Sequence, residues 1–144
     1  MSNFSKILKD IKSLKIQGAH NIAIAGLKAL SYNNSQKSVR ILISARPTEP
    51  ALINAIKFSK ITDLEASKNY LIDSKKQVAE NGSSLIKNGQ TIFTHCHSSS
   101  VMDTLKEAKK QGKRFKVLNT ETRPKYQGRI TSLDMDFETD KEIE

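Results

Sequence analysis

The stretch "QTIFTHCHSSSVMDTLKEAKKQGKRFKVLNT", residues 90–120, decides the fold class, because its hydrophobic pattern changes period twice. A short apolar run at 91–94 follows an Asn-Gly pair, which predicts a buried strand. Apolar side chains then recur at helical spacing over 101–111, and a glycine ends that pattern. A second apolar run occupies 114–120. Strand, helix and strand in this order predict a parallel unit, the start of a Rossmann-like sheet.

The chain before this unit is predicted to be helical. Apolar side chains recur at three- and four-residue steps over 4–14, and similar patterns follow at 21–30, 51–59 and 63–86. The run "VRILIS" at 39–44 is ambiguous between strand and helix, because six residues are too few to show a period. The first half is therefore predicted to form a set of short helices.

These patterns divide the chain into three parts. We predict a helical N-terminal domain over 1–88, an α/β segment over 89–133 and an acidic tail over 134–144. The tail holds six acids and one lysine, a composition typical of disordered chain. The predicted fold class is α/β: an N-terminal helical domain followed by the truncated start, strand–helix–strand, of a Rossmann-like parallel sheet.

Composition and charge narrow the classes of function. One cysteine rules out an internal disulfide. The N-terminal residues carry charges every few positions, so we expect no signal peptide, no membrane span and a cytoplasmic protein. The net charge of +9 comes from lysines scattered at helical spacing beside acids, which favours solvated helix faces over a nucleic-acid surface. A basic balance also suits small anionic ligands such as phosphorylated sugars.

Polar chemistry is concentrated in Thr91–Ser100, which holds the only cysteine, two of the three histidines and three consecutive serines. This stretch leaves the first predicted strand at its carboxyl end, the edge where open α/β sheets bind ligands. A thiol beside a helix N-terminus ionises more readily, so Cys96 is placed to act as a base or nucleophile. The serines can cap the helix, and the N–H groups of its first turn can hold a phosphate.

Two other interpretations of this stretch remain open from the residues alone. A single cysteine at a strand end is often only a small buried apolar residue, and serines before a helix are often only caps. His95 and His97 lie two positions apart, but a zinc site needs two further ligands and His20 is the only other histidine. We therefore predict no metal and no cofactor.

Four stretches carry a resemblance to a known family. They are "LKIQGAHNIA" (14–23), "ARPTEPALINAI" (45–56), "THCHSSS" (94–100) and "NTETRPKYQGRIT" (119–131). In this order they resemble the archaeal ribose-1,5-bisphosphate isomerases, which are related to the methylthioribose-1-phosphate isomerases and to the alpha, beta and delta subunits of translation initiation factor 2B. The resemblance covers residues from about 5 to 133. The histidine of "THCHS" resembles the sugar-bisphosphate isomerases, since the initiation-factor type more often has asparagine there.

The resemblance implies a role for each matched residue. Cys96 matches the catalytic cysteine, the base that moves a proton at carbon 2 of the sugar. Arg46 matches a phosphate-binding arginine, and Arg123, within the motif that borders the site, is a further candidate anion contact. The substrate-binding residues implied in this way are Gln17, Gly18, Ala19, His20, Arg46, Ser98, Ser99, Ser100 and Arg123.

This chain also departs from the family pattern. The family's general acid is an aspartate in a Gly-Ala-Asp stretch late in the α/β domain, followed by an Asn-Lys pair, and no stretch of this chain matches them. Gln17 stands where the family usually has arginine. We therefore expect no isomerase activity from this chain alone. A two-stranded parallel sheet with one helix cannot cover its own apolar faces. Three explanations stay open: a split enzyme with a complementing C-terminal chain or a homo-oligomer, a degenerate or truncated gene product, and a binding or regulatory piece.

Two functions follow as expectations from the resemblance. The first is conversion of ribose 1,5-bisphosphate to ribulose 1,5-bisphosphate in AMP salvage, by a site that this chain only partly supplies. The alternative is a non-catalytic, initiation factor 2B-like regulatory or protein-binding subunit. Cys96 and "THCHS" favour the first function, whereas the missing acid and Gln17 favour the second.

Overall fold

The computed structural model describes residues 2–135, which form two compact units. The first unit ends at Asp73 and the second begins at Ser74, inside the longest helix. The predicted division at residue 88 stays a prediction, since a boundary between compact units does not by itself define independently folding domains. The elements in chain order are α1 (Asn3–Lys12), α2 (Ala19–Tyr32), α3 (Gln36–Ala45), α4 (Pro50–Ile61), α5 (Leu64–Leu85), β1 (Thr91–Thr94), α6 (Ser99–Lys110), β2 (Lys116–Asn119) and α7 (Gln127–Asp134).

The ambiguous stretch at 39–44 lies in helix α3. Ser35 caps this helix, because its hydroxyl accepts a hydrogen bond from the Ser38 N–H at 3.2 Å. Val39 and Leu42 are buried on one face, at the three-residue spacing of a helix. A local cap and one buried face together select the helix over the strand.

Close packing of α2 against α4 forms much of the core of the first unit. A Cβ added to Gly26 of α2 would lie 2.2 Å from Cδ1 of Leu52, which is fully buried on α4. The glycine therefore lets the two helices approach more closely than any larger residue allows. Ala23 and Ala55, also buried, extend the same contact with small side chains.

The predicted C-terminal end of the first helix, at residue 14, is wrong. α1 ends at Lys12, and Leu14 has a φ of 60° and is 39% exposed, so it does not continue the apolar face. The Ser13 N–H donates to the Lys9 carbonyl at 2.9 Å and closes the last helical turn. The chain turns away immediately afterwards.

The predicted strand–helix–strand unit is present in the second unit. β1 and β2 are parallel, and Thr91 pairs with Lys116 through to Thr94 with Asn119. α6 packs on one face of this pair, where its buried side chains contact Ile92 and Val117. Those buried side chains are Met102, Leu105 and Ala108. The α/β class and the parallel connection are therefore confirmed.

The second face of the strand pair is exposed within the described residues. Phe93 is 69% exposed and Leu118 is 41% exposed, and the two are partners in the register. The prediction of a fully buried strand is wrong for this face. Side chains alternate along a strand, so a helix on one face covers only half of them.

Helix α7 was not predicted, and it takes in the start of the predicted tail. Asp134 ends this helix, and Met135, only 4% exposed, joins the same apolar core as Met102. The rest of the predicted tail, residues 136–144, lies outside the described residues. Over residues 2–135, no helix combines the length and the apolar character that crossing a lipid bilayer requires.

Candidate active site

The predicted site residues belong to both units. Gln17, Gly18, Ala19, His20 and Arg46 lie in the first unit. Cys96, Ser98, Ser99, Ser100 and Arg123 lie in the second unit. The substrate-binding roles of these residues stay predictions.

In the first unit, the turn at Gln17–Ala19 begins helix α2. Gly18 precedes the helix with a φ of 83°, a backbone angle that favours glycine. The Asn21 side chain donates to the Gln17 carbonyl at 3.2 Å, and the Ile22 N–H donates to the Gly18 carbonyl at 3.0 Å. Gln17, Gly18 and Ala19 are exposed, so the turn presents an accessible helix N-terminus, the kind of end that favours anions.

A cavity lies beside this turn. It has a volume of about 520 Å³ and is lined by His20, Asn21 and Lys28 together with five apolar side chains: Ile7, Ile16, Ile24, Ala25 and Ile72. Arg46 is half-buried and ends α3, where its N–H donates to the Ile43 carbonyl at 3.2 Å. His20 is thus the predicted site residue that borders this cavity.

In the second unit, Cys96 has an unusual backbone conformation that two threonines hold. Its φ of 65° lies in the left-handed region, which non-glycine residues adopt at a cost of about 1–3 kcal/mol. The Cys96 N–H donates to Thr122 Oγ1 at 3.0 Å, and Thr131 Oγ1 donates to the Cys96 carbonyl at 3.1 Å. Both threonines come from the chain after β2, so that segment fixes the peptide of the cysteine.

The sulfur of Cys96 has a polar partner. The Sγ–H donates to Oε1 of Gln127 at 3.0 Å, and the side chain is half-buried. The cysteine is therefore not a small apolar residue enclosed in a core. Gln127 was not singled out from the sequence, although the stretch "NTETRPKYQGRIT" that contains it was.

The two histidines beside Cys96 are held by different threonines. Nδ1 of His95 lies 2.6 Å from Thr120 Oγ1, and Nδ1 of His97 lies 3.1 Å from Thr131 Oγ1. Across residues 2–135, no three His, Cys, Asp or Glu side chains are grouped so that they could hold a metal ion. The histidines instead connect the end of β1 to the chain after β2.

The predicted capping by the three serines is not observed. Ser98 occupies the N-cap position of α6, but its side chain makes no capping hydrogen bond. The helix begins at Ser99, two residues earlier than the predicted start at 101. Ser98 is exposed and the other two serines are partly buried at this helix N-terminus.

Arg123 takes part in an exposed ion-pair cluster after β2. Glu121 accepts from Nε of Arg123 at 3.0 Å and from Nε and Nη2 of Arg129. The Arg129 guanidinium also lies 4.4 Å from the ring centroid of Tyr126. Hydrogen bonds from Arg129, and then from Arg123, lower the pKa of the Glu121 carboxyl.

This lowered pKa predicts an acid-sensitive connection between β2 and α7. The Glu121 ion pairs stabilise the folded chain fully above the ordinary pKa of 4.5 and are lost as the pH falls through the lowered value. The Nε–H NMR signal of Arg129 should therefore stay constant from pH 7 to 5 and shift only in more acidic solution. Glu121→Gln should displace the signal at every pH and leave a flat profile. A wild-type signal that already shifts between pH 7 and 5 contradicts this assignment.

Comparisons with known proteins agree on one family. Residues 15–138 match the Initiation factor 2 subunit family. The ribose 1,5-bisphosphate isomerase of Thermococcus kodakarensis is 32% identical, and the match covers 90% of this chain and 51% of that protein. The chain thus spans about half the length of this curated relative.

Solved structures show the same fold. Translation initiation factor eIF-2B of Pyrococcus horikoshii superposes with a TM-score of 0.80 at 26% identity, over 95% of this chain and 57% of that one. A chain of the tetrameric eIF2B-beta2-delta2 complex from Chaetomium thermophilum superposes with a TM-score of 0.68 at 20% identity, over 92% of this chain and 55% of that one. A strand–helix–strand unit with a cysteine at its carboxyl edge, a matching family profile and these superpositions lead to one conclusion: the chain belongs to the Initiation factor 2 subunit family.

Proposed function

We propose that this chain supplies the cysteine-bearing part of an isomerase site that converts ribose 1,5-bisphosphate to ribulose 1,5-bisphosphate in nucleotide salvage. The observation that carries the proposal is the setting of Cys96. Its sulfur lies at the carboxyl edge of the parallel strands and is hydrogen-bonded to Gln127, while two threonines hold its peptide. The relative from T. kodakarensis bears the name of this activity.

The chemistry of Cys96 in this proposal is proton transfer. Aldose–ketose isomerisation needs a base that removes the proton at carbon 2 of the sugar. The thiol now donates to the amide oxygen of Gln127. When the thiol ionises, rotation of the same amide presents its NH₂ group to the sulfur as a donor. Gln127 can therefore pair with the sulfur in both protonation states, which suits a group that gains and loses a proton each cycle.

Each unit holds its own candidates for phosphate binding in this proposal. The candidates are the exposed turn at Gln17–Ala19, the N-terminus of α6 at Ser98–Ser100, and the guanidinium groups of Arg46 and Arg123. Helix N-termini and arginines are the usual partners of phosphate groups in proteins. The general acid would come from a complementing C-terminal chain, because a second copy in a homo-oligomer lacks the same Gly-Ala-Asp stretch. Phosphorylated sugars of this kind are cytoplasmic metabolites, so we place the activity in the cytoplasm.

The test is reconstitution. The purified chain is mixed with the second half of the T. kodakarensis relative, and ribulose 1,5-bisphosphate formation is followed. We expect product from the mixture and none from either polypeptide alone. In parallel, ribose 1,5-bisphosphate should shift the amide NMR signals of Cys96 and Ser98–Ser100 in this chain. Absence of both turnover and these shifts contradicts the proposal.

A second function is favoured by the exposed strand face. Phe93 and Leu118 leave an apolar surface on the strand pair, and the C. thermophilum relative was solved as a tetrameric complex. A non-catalytic subunit that binds proteins would need such a surface but not the thiol. Cys96→Ser separates the two functions, because it should remove turnover and leave any protein assembly, measured by sedimentation, unchanged.

A further inference from the structure

The hydrogen positions around His97 follow from one hydroxyl group. Oγ1 of Thr131 lies 3.1 Å from the Cys96 carbonyl oxygen and 3.1 Å from Nδ1 of His97. A carbonyl oxygen has no hydrogen, so the threonine must supply the one between the two oxygens. A hydroxyl has a single hydrogen, so Nδ1 of His97 must carry the hydrogen of the second contact. Thr131 is 1% exposed, so no solvent molecule can take over either role easily.

The same assignment of hydrogen atoms applies to His95, through a longer series of hydrogen bonds. Oγ1 of Thr122 lies 3.2 Å from the Thr120 carbonyl oxygen and therefore donates its hydrogen there. The hydroxyls of Thr120 and Thr122 lie 3.1 Å apart, so Thr120 donates in that contact. For all of these contacts to be hydrogen bonds at once, Nδ1 of His95, 2.6 Å from the Thr120 hydroxyl, has to donate as well. Both rings therefore carry a hydrogen on Nδ1, and a neutral ring of this form has an acceptor at Nε2.

We infer that His95 and His97 form an acceptor pair that binds hydroxyl groups of the ligand through Nε2. Within residues 2–135, each ring forms its hydrogen bond through Nδ1. His95 is exposed and His97 is half-buried, so a ligand beside Cys96 can reach them. Only the identity of the ligand, a phosphorylated sugar, rests on the proposed function.

This pairing has a consequence for selectivity. An unprotonated Nε2 accepts from a sugar hydroxyl, whereas the phosphate monoester dianion of a sugar phosphate offers only acceptor oxygens and would be repelled by the nitrogen lone pair. The acceptor pair therefore recognises the hydroxyl groups of the sugar. The helix N-termini and the arginines bind the phosphates.

The direction of the hydrogen bonds is tested by ¹⁵N NMR of the imidazole rings at pH 8, where an unperturbed imidazole is neutral. We expect both rings in the wild-type chain as the Nδ1–H form, with His20 as a third ring in the same spectrum. Thr131→Val should convert His97 to the Nε2–H form and leave His95 unchanged. Thr120→Val should convert His95 to the Nε2–H form and leave His97 unchanged. Each variant is therefore the control of the other.

Thr131→Ser keeps the hydroxyl and should keep the wild-type form of His97. If a valine variant does not fold, the wild-type spectrum decides alone, because either ring found as the Nε2–H form overturns the inference.

Ligand selectivity is tested with ribose 5-phosphate and, as the phosphate probe, methyl phosphate, whose dianion carries no hydroxyl group. Thr131→Val and His97→Leu should weaken ribose 5-phosphate binding by about 2- to 10-fold, the size of one net hydrogen bond, and leave methyl phosphate binding unchanged. Equal weakening of both probes overturns the role of the acceptor pair. If the wild-type chain binds methyl phosphate but not ribose 5-phosphate, hydroxyl recognition is overturned, whereas turnover of the reconstituted site tests the proposed function separately. The ring spectra still decide separately whether the threonines set the histidine form.

Discussion

Cys96→Ser is expected to lower the turnover of the reconstituted isomerase site by about 10²- to 10⁴-fold, the usual contribution of a positioned base. Serine has nearly the size of cysteine, and its hydroxyl can still donate to Oε1 of Gln127. The threonine contacts to the peptide of residue 96 do not depend on the side chain. What is lost is the greater acidity of a thiol relative to an alcohol. The measurement is the initial rate of ribulose 1,5-bisphosphate formation at saturating substrate.

The control for this variant is Ser84→Ala. Ser84 is exposed, and its hydroxyl donates only to the Asn81 carbonyl within α5. Its removal should leave the rate unchanged. Amide NMR spectra of Cys96→Ser should match the wild type outside the immediate neighbours of residue 96. A rate within twofold of the wild type would show that Cys96 is not the base.

Gly128→Ala is expected to destabilise the second unit by more than about 3 kcal/mol, beyond the usual range for an overpacked site. A Cβ at Gly128 would lie 1.8 Å from the Thr120 carbonyl oxygen and 2.7 Å from Nδ2 of Asn119. The first of these is backbone and cannot rotate away. The Asn119 side chain also donates to the Gly128 carbonyl at 2.7 Å, so moving α7 outward breaks that bond. Urea unfolding, followed by NMR signals of α6 and β2, measures this loss of stability.

Gly112→Ala is the matched control for Gly128→Ala. Gly112 has a φ of 78° with no atom within 4 Å of an added Cβ, so its substitution costs only the backbone strain, about 1 kcal/mol. Equal destabilisation by the two substitutions would show that the close approach of α7 to the end of β2 is unimportant. Because Thr120 contacts His95, Gly128→Ala should also shift the His95 ring signals, whereas Gly112→Ala should not.

Much of the fold could be predicted because its signals are local. The switch from helical spacing to short apolar runs located β1, α6 and β2 within a few residues. The placement of Cys96 at the carboxyl end of β1 followed from that order alone. "VRILIS" at 39–44 stayed ambiguous, because the cap that decides it, Ser35, lies outside the run. Helix α7 was missed because its eight residues carry only a weak apolar pattern, with Thr131 as one of the two buried positions.

The sequence alone determined the α/β class, the parallel connection and the position of the cysteine, since periodicity and turn residues act over a few neighbours. The tertiary structure alone decided what surrounds that cysteine. Thr122, Gln127 and Thr131 lie 26, 31 and 35 residues after it, and no local pattern relates residues at such separations. Their hydrogen bonds form because the parallel register brings the ends of β1 and β2 side by side and Gly128 lets α7 lie against the end of β2.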